Sequence, residues 1–246
     1  MKAFLLAAGH GTRLRPLTDR IPKCLVPIRG VPMLGIWLEL CLEHGINEVL
    51  INLHSHVDQV RQYLDGKSRG GVSVRISEEA TLLGSAGTLA ANRDWVAEED
   101  DFWILFADVL TTANLAHMLA FHRARGLLAT LGLYQVPDPS RCGIAKLDAA
   151  GIIREFAEKP TVPQSSLAFS GLMLAAPAIL DLIPSHLPAD IGFQLLPQLV
   201  GRMAGYMING YLIDIGTMEN YQAAQQNWPG LVRCPNPQPG IANCHK

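Results

Sequence analysis

The residues best suited to chemistry lie close together near the beginning of the chain. A short apolar run ends at Gly9 and Gly11. Glycine allows sharp turns, and successive backbone N–H groups in such a turn form a concave site that suits phosphate. Arg13, Arg15 and Lys23 come next. Each carries a permanent or near-permanent positive charge that can bind phosphate oxygens. This order of residues predicts a site for a polyphosphate.

Strands and helices alternate around this stretch through the first half of the chain. Short apolar runs predict buried strands, and apolar residues at every third or fourth position predict helices. The predicted strands are residues 2–8, 48–53, 72–77, 102–106 and 127–134, and the predicted helices are residues 32–45, 57–64 and 115–125. Such alternation indicates an α/β fold with a mostly parallel, doubly wound sheet. Ligands bind beyond the carboxyl ends of its strands, where both Gly9 and Asp108 are expected.

The second half of the chain is less regular. Residues 142–148, 151–156 and 169–174 predict short strands that either extend the sheet or form a small subsheet, and residues 191–203 and 221–228 predict helices. Residues 229–246 contain four prolines and few apolar residues, which predicts a loosely ordered tail. We therefore expect one domain over residues 1–228, which includes the predicted site, and a tail over residues 229–246.

Composition limits the classes of function. The 246 residues are 49% hydrophobic and carry a formal net charge of −2, so the chain is globular and has no basic excess for nucleic acid. The most apolar long stretch, residues 167–183, includes Asp181 and Pro177, which argues against a membrane span. Five irregularly spaced cysteines favour reduced thiols in the cytoplasm over a disulfide framework.

Two common phosphate-binding motifs do not fit the first glycine turn. The Walker motif requires Gly-Lys-Ser/Thr, and the dinucleotide motif requires a third glycine where this chain has Leu14. Residues 6–18 instead read Leu-Ala-Ala-Gly-His-Gly-Thr-Arg-Leu-Arg-Pro-Leu-Thr, and residues 22–28 read Pro-Lys-Cys-Leu-Val-Pro-Ile. This stretch resembles the signature of the sugar nucleotidyltransferases, also called nucleoside-diphosphate-sugar pyrophosphorylases.

Further motifs that resemble the same family follow in order as far as residue 225. They are Leu-Gly-Ser-Ala-Gly at residues 83–87, Asp108 after a strand, Gly143, Glu-Lys-Pro at residues 158–160, Ser170-Gly171, and Gly-Tyr-Leu-Ile-Asp-Ile-Gly-Thr-Met-Glu-Asn-Tyr at residues 210–221. Three positions depart from the family pattern: Ser85 replaces threonine, Ala107 replaces glycine and Cys142 replaces tyrosine. The resemblance is to the short form of the family, without a C-terminal β-helix. It implies a Rossmann-like, GT-A-type fold, with a mixed, mostly parallel sheet flanked by helices and a small sugar-side β-subsheet.

The resemblance also implies roles for particular residues. The implied nucleotide site consists of Leu6, Ala8, Gly9, Gly11, Thr12, Arg13, Gly84, Ser85 and Gly87. The implied sugar-phosphate site consists of Gly143, Glu158, Lys159 and Ser170, and Pro160 is expected to keep the Lys159 backbone extended so that its side chain points into the cleft. Arg13 and Lys23 are the implied catalytic residues. Asp108 and Asp214 are the implied ligands of Mg²⁺, which also accepts phosphate oxygens and water.

The reaction that this resemblance implies joins a nucleoside triphosphate to a sugar 1-phosphate. It yields a nucleoside-diphosphate sugar and pyrophosphate, with no covalent enzyme intermediate. The turn at residues 83–87 most resembles guanylyltransferases that act on mannose or heptose 1-phosphates. Uridylyl, thymidylyl or cytidylyl transfer stays open, as does a non-catalytic homologue that binds sugar nucleotides and regulates. The expected partners are the two substrates, without nucleic acid or membrane, and a homodimer is one expected assembly.

Overall fold

A large mixed sheet forms the centre of the fold. The computed structural model of the chain describes residues 1–65 and 71–231. Its strands are β1 (Lys2–Leu6), β2 (Pro27–Ile28), β3 (Val31–Pro32), β4 (Glu48–Leu53), β5 (Ser73–Glu78), β6 (Phe102–Phe106), β7 (Val109–Thr111), β8 (Ala129–Gln135), β9 (Gly143–Leu147), β10 (Ile153–Glu158), β11 (Leu167–Ala175), β12 (Met203–Met207) and β13 (Leu212–Asp214). Its α-helices are α1 (Met33–Glu43), α2 (Val57–Asp65), α3 (Ser85–Ala91), α4 (Leu115–Arg125) and α5 (Met218–Asn227). In these ranges we find no helix with the length and apolar character needed to cross a membrane.

The two halves of the sheet differ in strand direction. The order of the main path is β10-β9-β11-β6-β1-β4-β5, with β8 paired to β11 and β12 paired to β8. β6, β1, β4 and β5 pair in parallel, whereas β11 runs antiparallel to β6, β8 and β9. The sheet is therefore mixed. Its main parallel part lies in the first half of the chain, and β12 forms one further parallel pair with β8. β9 and β10 extend this sheet, which is the first of the two arrangements that the sequence left open.

Both faces of the central parallel strands β1, β4 and β6 are buried. Ala3 and Leu5 of β1 pack with α1 on one face, while Phe4 packs with Ile104 and Leu89 on the other. Successive side chains of a strand point to opposite faces, so strands covered on both faces need an unbroken apolar run. This requirement explains why the sequence predicts these strands well.

The strand β11 changes partner along its length. Its first residues, Leu167 and Ala168, pair with β8 and β9, whereas residues 172–175 pair with β8 and β6. The register shifts between Phe169 and Met173, where Gly171 has a φ of 79°. A bulge of this kind bends a strand locally. Consequently β6 and β9 lie along different parts of the same edge of β11.

Most predicted elements are present, but the predicted helix over residues 191–203 is wrong. A π-helical turn, Ile191–Leu195, is followed by a 3-10 turn, Leu196–Leu199, and then by β12. Pro197 lacks an N–H donor, and Gly201 has a φ of 81°, so the helix cannot continue. The predicted end of the second helix at Gly66, and the predicted tail from residue 232 onward, lie outside the described residues.

The β2–β3 hairpin is attached to the last turn of α5 by hydrogen bonds. The Arg29 guanidinium donates to the carbonyl oxygens of Gln225, at 3.0 Å, and Gln226, at 2.6 Å. The side chain of Gln225 in turn donates to the carbonyl of Pro27 at 2.6 Å. Carbonyl groups at a helix C-terminus lack partners within the helix, and a positive charge there is favourable. These contacts hold two distant parts of the chain together.

We expect the change Arg29→Ala to lower the free energy of unfolding by about 1–2 kcal/mol, because it removes a charge and two donors from the end of α5. Urea unfolding of the variant and of the wild type measures this difference. Arg93→Ala is a suitable control, since Arg93 forms an exposed ion pair with Asp181, and exposed pairs contribute little. Equal losses in the two variants would contradict the role given to Arg29.

Candidate active site

A cavity of about 520 Å³ lies at the carboxyl edge of the parallel strands. Most of the predicted nucleotide-site residues line it: Leu6, Ala8, Gly9, Gly11, Thr12, Arg13, Gly84 and Ser85. Lys23 and Asp108 line it as well. The edge of the sheet thus brings together the glycine turn after β1, the segment after β5 and the segment after β6.

The glycine turn is packed directly against the segment that carries Lys23. Gly11 adopts a left-handed conformation, with φ 61° and ψ 28°. A β-carbon at this position would lie 2.9 Å from Cγ2 of Thr18 and 3.3 Å from Cβ of Lys23. The hydroxyl of Thr18 donates to the carbonyl of Gly11 at 2.8 Å. Glycine is therefore required here both for its conformation and for its small size.

Lys23 and Asp108 form an ion pair beside this turn. The Lys23 Nζ lies 2.6 Å from Asp108 Oδ2, and their side chains are 11% and 31% exposed. Lys23 comes from the 3-10 turn Lys23–Leu25, and Asp108 comes from the loop between β6 and β7. A charge that is largely removed from water must be paired, so each of these residues stabilises the other in the cavity wall.

A small second sheet brings Asp214 to the same place. β13 pairs antiparallel with β7, with Asp214 opposite Val109. The N–H of Ile215 donates to the carbonyl of Asp108 at 2.9 Å. The two aspartates thus approach each other from segments separated by about a hundred residues in the sequence, as the predicted metal-binding role requires.

The surroundings of Asp214 combine burial with charges of both signs. Burial raises the pKa of the Asp214 carboxyl above its ordinary value, and the neighbouring charge of Asp108 raises it further. Lys23, Arg13 and the backbone N–H of Gly216 oppose this rise in the pKa. That N–H donates to Asp214 Oδ1 at 2.6 Å. Two close carboxylates repel each other, and a bound cation would relieve this repulsion.

The donor set fits Mg²⁺. Both carboxylates offer hard oxygen ligands, which Mg²⁺ prefers, and few protein ligands are needed when phosphates and water complete the shell. In residues 1–65 and 71–231, no cluster of three or more His, Cys, Asp or Glu side chains is arranged to hold a metal. The remaining ligands of a bound ion would therefore come from substrate and water.

A network of buried polar side chains lies further along the sheet edge. Asn52 Oδ1 accepts from the N–H of Ala7 at 2.7 Å, and Asn52 Nδ2 donates to Glu79 Oε1 at 2.8 Å and to Thr88 Oγ1 at 2.9 Å. Asn52 and Glu79 both line the cavity. The network links the start of the glycine turn to the loop after β5 and to α3.

The second glycine motif enters α3 and packs against the segment over residues 187–191. Ser85 Oγ donates to Asp190 Oδ2 at 2.9 Å and accepts from the N–H of Ile191 at 2.8 Å, so its hydroxyl is engaged within the protein. The N–H of Gly87 donates to the carbonyl of Ala189 at 3.1 Å, and a β-carbon at Gly87 would lie 2.7 Å from Cδ2 of Leu187. Gly87 is not among the residues that line the cavity, and its place in the nucleotide site stays a prediction.

The predicted acceptor residues Glu158 and Lys159 lie side by side. The Lys159 Nζ is 3.8 Å from Glu158 Oε1, and the two side chains are 59% and 15% exposed. Lys159 Nζ also lies 5.8 Å from the ring centre of Phe193. Burial raises the pKa of the Glu158 carboxyl above its usual range, the charge of Lys159 lowers it, and the charge of Asp190 raises it. Lys159 is thus an accessible cation beside a partly buried carboxylate.

The backbone of Lys159 is not extended as predicted. Its φ is 49°, in the left-handed region, and its N–H donates to the carbonyl of Cys142 at 2.9 Å. The tertiary hydrogen bond at the end of β10 overrides the local preference that Pro160 imposes. The expectation about the backbone is wrong, and the direction of the side chain follows from its contacts with Glu158 and Phe193.

Tyr134 lies beside Cys142, and the charge of Asp214 acts on both side chains. Burial raises the pKa of the Tyr134 phenol, and the neighbouring Cys142 and Asp214 raise it further. Burial raises the pKa of the Cys142 thiol, and the charges of Asp214 and Glu158 add to the effect. Both groups therefore stay neutral near pH 7. The charges of Asp214 and Glu158 thus act on the same thiol, that of Cys142.

Gly143 and Ser170 are the two other residues of the predicted sugar-phosphate site. Gly143 lies in β9, where a β-carbon would crowd Glu158 Oε2 and the Phe156 ring; it makes room for those side chains. Ser170 is buried within β11, and its Oγ accepts from the N–H of Leu172 at 3.3 Å. It lies at the bulge of β11, and its predicted role in the sugar-phosphate site stays a prediction.

Sequence reasoning missed three polar residues of this region: Asn52, Glu79 and Asp190. Asn52 interrupts an otherwise apolar strand, and a lone amide in a buried strand is a signal that could have been recognised. In the sequence, Glu78 and Glu79 look like two exposed glutamates at the end of a strand. In the structure, Glu79 is only 5% exposed. Asp190 caps the turn at Ile191–Leu195, and the wrong helix prediction concealed it.

Comparison with known proteins agrees with this geometry. The chain is 32% identical to the mannose-1-phosphate guanylyltransferase catalytic subunit beta of Xenopus tropicalis, over 97% of this chain and 67% of that protein. It is 34% identical to a UTP–glucose-1-phosphate uridylyltransferase of Synechocystis, over 91% of this chain and 62% of that protein. The chain thus spans about two thirds of the length of these relatives.

A similar fold has been solved for a putative glucose-1-phosphate thymidylyltransferase from Bacillus anthracis in complex with a sucrose. That structure superimposes with a TM-score of 0.82 and 25% identity, over 92% of this chain and 94% of that chain. The family profile described as nucleotidyl transferase matches residues 2–229. The match includes the glycine turn, Lys23 and both aspartates, and we conclude that the chain belongs to the nucleotidyl transferase family.

Proposed function

We propose that this protein transfers a nucleoside monophosphate from a nucleoside triphosphate to a sugar 1-phosphate, with release of pyrophosphate. The observation that carries the proposal is the Lys23–Asp108 ion pair, which lies between the glycine turn and Asp214 at the wall of one cavity. The relatives named above carry out guanylyl and uridylyl transfer to sugar phosphates according to their names. The cations Arg13 and Lys23, beside the backbone N–H groups of the glycine turn, suit the binding of a triphosphate. The carboxylates of Asp108 and Asp214 suit the binding of a metal ion together with phosphate oxygens.

In the proposed reaction a phosphate oxygen of the sugar 1-phosphate attacks the α-phosphorus in line with the departing pyrophosphate. The N–H groups of the turn at Gly9 and Gly11 and the guanidinium of Arg13 hold the β- and γ-phosphates. Lys23 neutralises charge that develops at the α-phosphate. Asp108 and Asp214 would hold Mg²⁺, which would supply charge neutralisation at the phosphates. No nucleophilic side chain is required, because catalysis rests on positioning and charge stabilisation.

The acceptor is held on the side of Asp214 that faces Tyr134 and Cys142. Glu158 offers a partly buried acceptor for sugar hydroxyl groups, and Lys159 offers an exposed cation for the phosphate of the sugar. Cys142 is smaller than the tyrosine of the family pattern, which leaves more room near the sugar. This difference is consistent with a bulky or extended sugar such as a heptose.

For the substrates themselves, we propose GTP with a mannose- or heptose-type 1-phosphate. Several relatives that are 30% identical or more are named mannose-1-phosphate guanylyltransferases. We also propose a cytoplasmic location, which the unpaired thiols of Cys24 and Cys41 support. A homodimer is the assembly that we propose for the active protein.

A substrate screen tests the proposal. We expect pyrophosphate release when the protein is given GTP, a mannose- or heptose-type 1-phosphate and Mg²⁺, with a higher kcat/KM than for UTP, dTTP, CTP or ATP. Release with UTP or dTTP and another sugar 1-phosphate would keep nucleotidyl transfer but change the substrates. No release with any combination of triphosphate and sugar 1-phosphate would contradict the proposed reaction.

The aspartate pair gives a second prediction. Asp108→Asn and Asp214→Asn remove charge with little change in shape, so kcat/KM should fall by about 100-fold or more, or ~2.7 kcal/mol, in each variant. Asp108→Asn should also lower the melting temperature, because Lys23 loses its charged partner, whereas Asp214→Asn should retain the thermal stability. Asp181→Asn is the control, since Asp181 is exposed and paired with Arg93. Near-normal activity with Mg²⁺ in both site variants would remove the metal-binding assignment.

Lys159 gives a third prediction. Lys159→Ala should raise the KM for the sugar 1-phosphate by about tenfold or more, ~1.4 kcal/mol, and leave the KM for the triphosphate nearly unchanged, because its charge faces only the acceptor. Lys159→Arg should restore this only in part, since a planar fork does not replace a compact charge.

The matched control for this experiment is Lys146→Ala, which removes an exposed lysine of β9 that pairs with Glu155 at 2.7 Å. Steady-state kinetics with each substrate varied in turn separates the two sides of the site. An unchanged KM for the sugar 1-phosphate in Lys159→Ala would make Lys159 a surface residue whose pairing with Glu158 contributes less than about 1 kcal/mol.

A further inference from the structure

We propose that Phe193 is a specificity-determining residue on the acceptor side of the site, and that its exposed ring packs against the C–H groups of the sugar ring. This inference rests on the proposed function and adds to it the residue that distinguishes a sugar 1-phosphate from a simple phosphate ester. In this arrangement Lys159 binds the phosphate of the acceptor, and Phe193 binds the sugar itself.

Phe193 combines a large aromatic ring with an exposed position. The residue is 55% exposed, although phenylalanine is among the residue types that are most often buried. A single exposed apolar side chain on a protein surface needs no explanation by itself. Phe193 differs from such a residue because it lies beside Glu158 and Lys159, the two residues proposed to hold the acceptor.

The turn that carries Phe193 packs directly on Glu158. A β-carbon at Gly192 would lie 2.8 Å from Cδ of Glu158, so the backbone next to Phe193 touches the carboxylate group. The Lys159 Nζ lies 5.8 Å from the centre of the Phe193 ring, within the range of a cation–π interaction. The ring, the ammonium group and the carboxylate thus form one cluster, to which Ile191–Leu195 and the end of β10 contribute.

The backbone of Phe193 is held in place by Asp190. The N–H of Phe193 donates to Asp190 Oδ1 at 3.1 Å, and the N–H of Gly192 donates to the same oxygen at 2.8 Å. Asp190 Oδ2 accepts from Ser85 Oγ, at the start of α3, at 2.9 Å. The turn is therefore attached to α3, and little backbone ordering remains to be done when a ligand meets the ring.

The acceptor side is open to solvent and lacks the tyrosine of the family pattern. Cys142 stands at the position of that tyrosine, and Phe193 supplies an aromatic ring from a different segment of the chain. The side chain of Lys159 is 59% exposed. In such an open site each hydrogen bond to a sugar hydroxyl replaces one to water and contributes little, whereas an apolar contact gains from the area it removes from water.

A sugar 1-phosphate has two parts that this cluster can distinguish. Its phosphate is an anion that suits the ammonium group of Lys159. Its ring carries hydroxyl groups at the edge, which suit the carboxylate of Glu158, and C–H groups on the faces. The face of an aromatic ring has a negative partial charge, which attracts weakly positive C–H groups. A sugar ring therefore gains the contact with Phe193, and a phosphate ester without a ring does not.

The change Phe193→Ala tests the assignment and removes little buried surface. With the sugar 1-phosphate that gives the highest kcat/KM in the substrate screen, we expect its KM to rise about fivefold or more. The kcat and the KM for the triphosphate should stay nearly unchanged. Phe193→Tyr keeps the ring and should restore most of the affinity, whereas Phe193→Leu is apolar without a flat face and should restore only part of it. An unchanged KM for the sugar 1-phosphate in Phe193→Ala would overturn the proposal.

Methyl phosphate separates the contact with the ring from the contact with the phosphate. Used as a competitive inhibitor against the sugar 1-phosphate, it should have the same Ki in the wild type and in Phe193→Ala, and a higher Ki in Lys159→Ala. If Phe193 served only to position Lys159, Phe193→Ala would raise the Ki of methyl phosphate and the KM for the sugar 1-phosphate by the same factor. That result would also overturn the proposal.

The matched control is Leu42→Ala, which shortens another exposed apolar side chain. Leu42 is 41% exposed and belongs to the end of α1, which leads into the start of β4 at the opposite edge of the sheet from the site. This variant should leave both constants unchanged. Failure of this inference alone leaves the wild-type activity intact, whereas failure of the proposed function means that no sugar 1-phosphate supports pyrophosphate release.

Discussion

The close approach of two charges, on Lys23 and Asp108, is the constraint on which the rest of the site depends. The residues are 85 positions apart in the sequence, and each would be costly to bury alone. Lys23 is fixed because its turn packs against Gly11 and Thr18. Asp108 is fixed because it follows β6, which lies beside β1 in the parallel part of the sheet. The ion pair therefore forms only when the glycine turn and the sheet edge are both correctly folded.

The sequence predicted the parts of the fold and site that depend on local pattern. β4, β6 and α4 begin and end at the predicted residues, because their apolar runs are buried on the expected faces. The glycine turn, Lys23 and Asp108 were recognisable for a related reason. These charged residues and glycines follow the end of a buried strand within a short stretch of sequence, so the local pattern alone is enough to recognise them.

The sequence failed where tertiary contacts override local preference. The turn after Asp190 packs on Glu158 through Gly192, and Pro197 and Gly201 end the helical geometry that the apolar spacing favoured. The left-handed backbone of Lys159 depends on a bond to Cys142, and the burial of Ser170 depends on the bulge in β11. Asn52 and Glu79 escaped notice because their importance comes from each other and from Thr88, which is distant in sequence.

The bulge in β11 separates two regions of the sheet that differ in strand pairing. Beyond it, β9 is joined to β11 through the pairs of Leu167 and Ala168 alone, and the β9–β10 pair carries Gly143 and Glu158 and leads directly into Lys159. The residues proposed to bind phosphate, in contrast, follow β1 and β6, which are each paired on both sides. Under the proposed function, the segment that would contact the sugar is therefore joined to the sheet by fewer backbone pairs than the segments that would carry the chemistry. Substitutions in β9 and β10 could then change the accepted sugar without altering the residues proposed for catalysis.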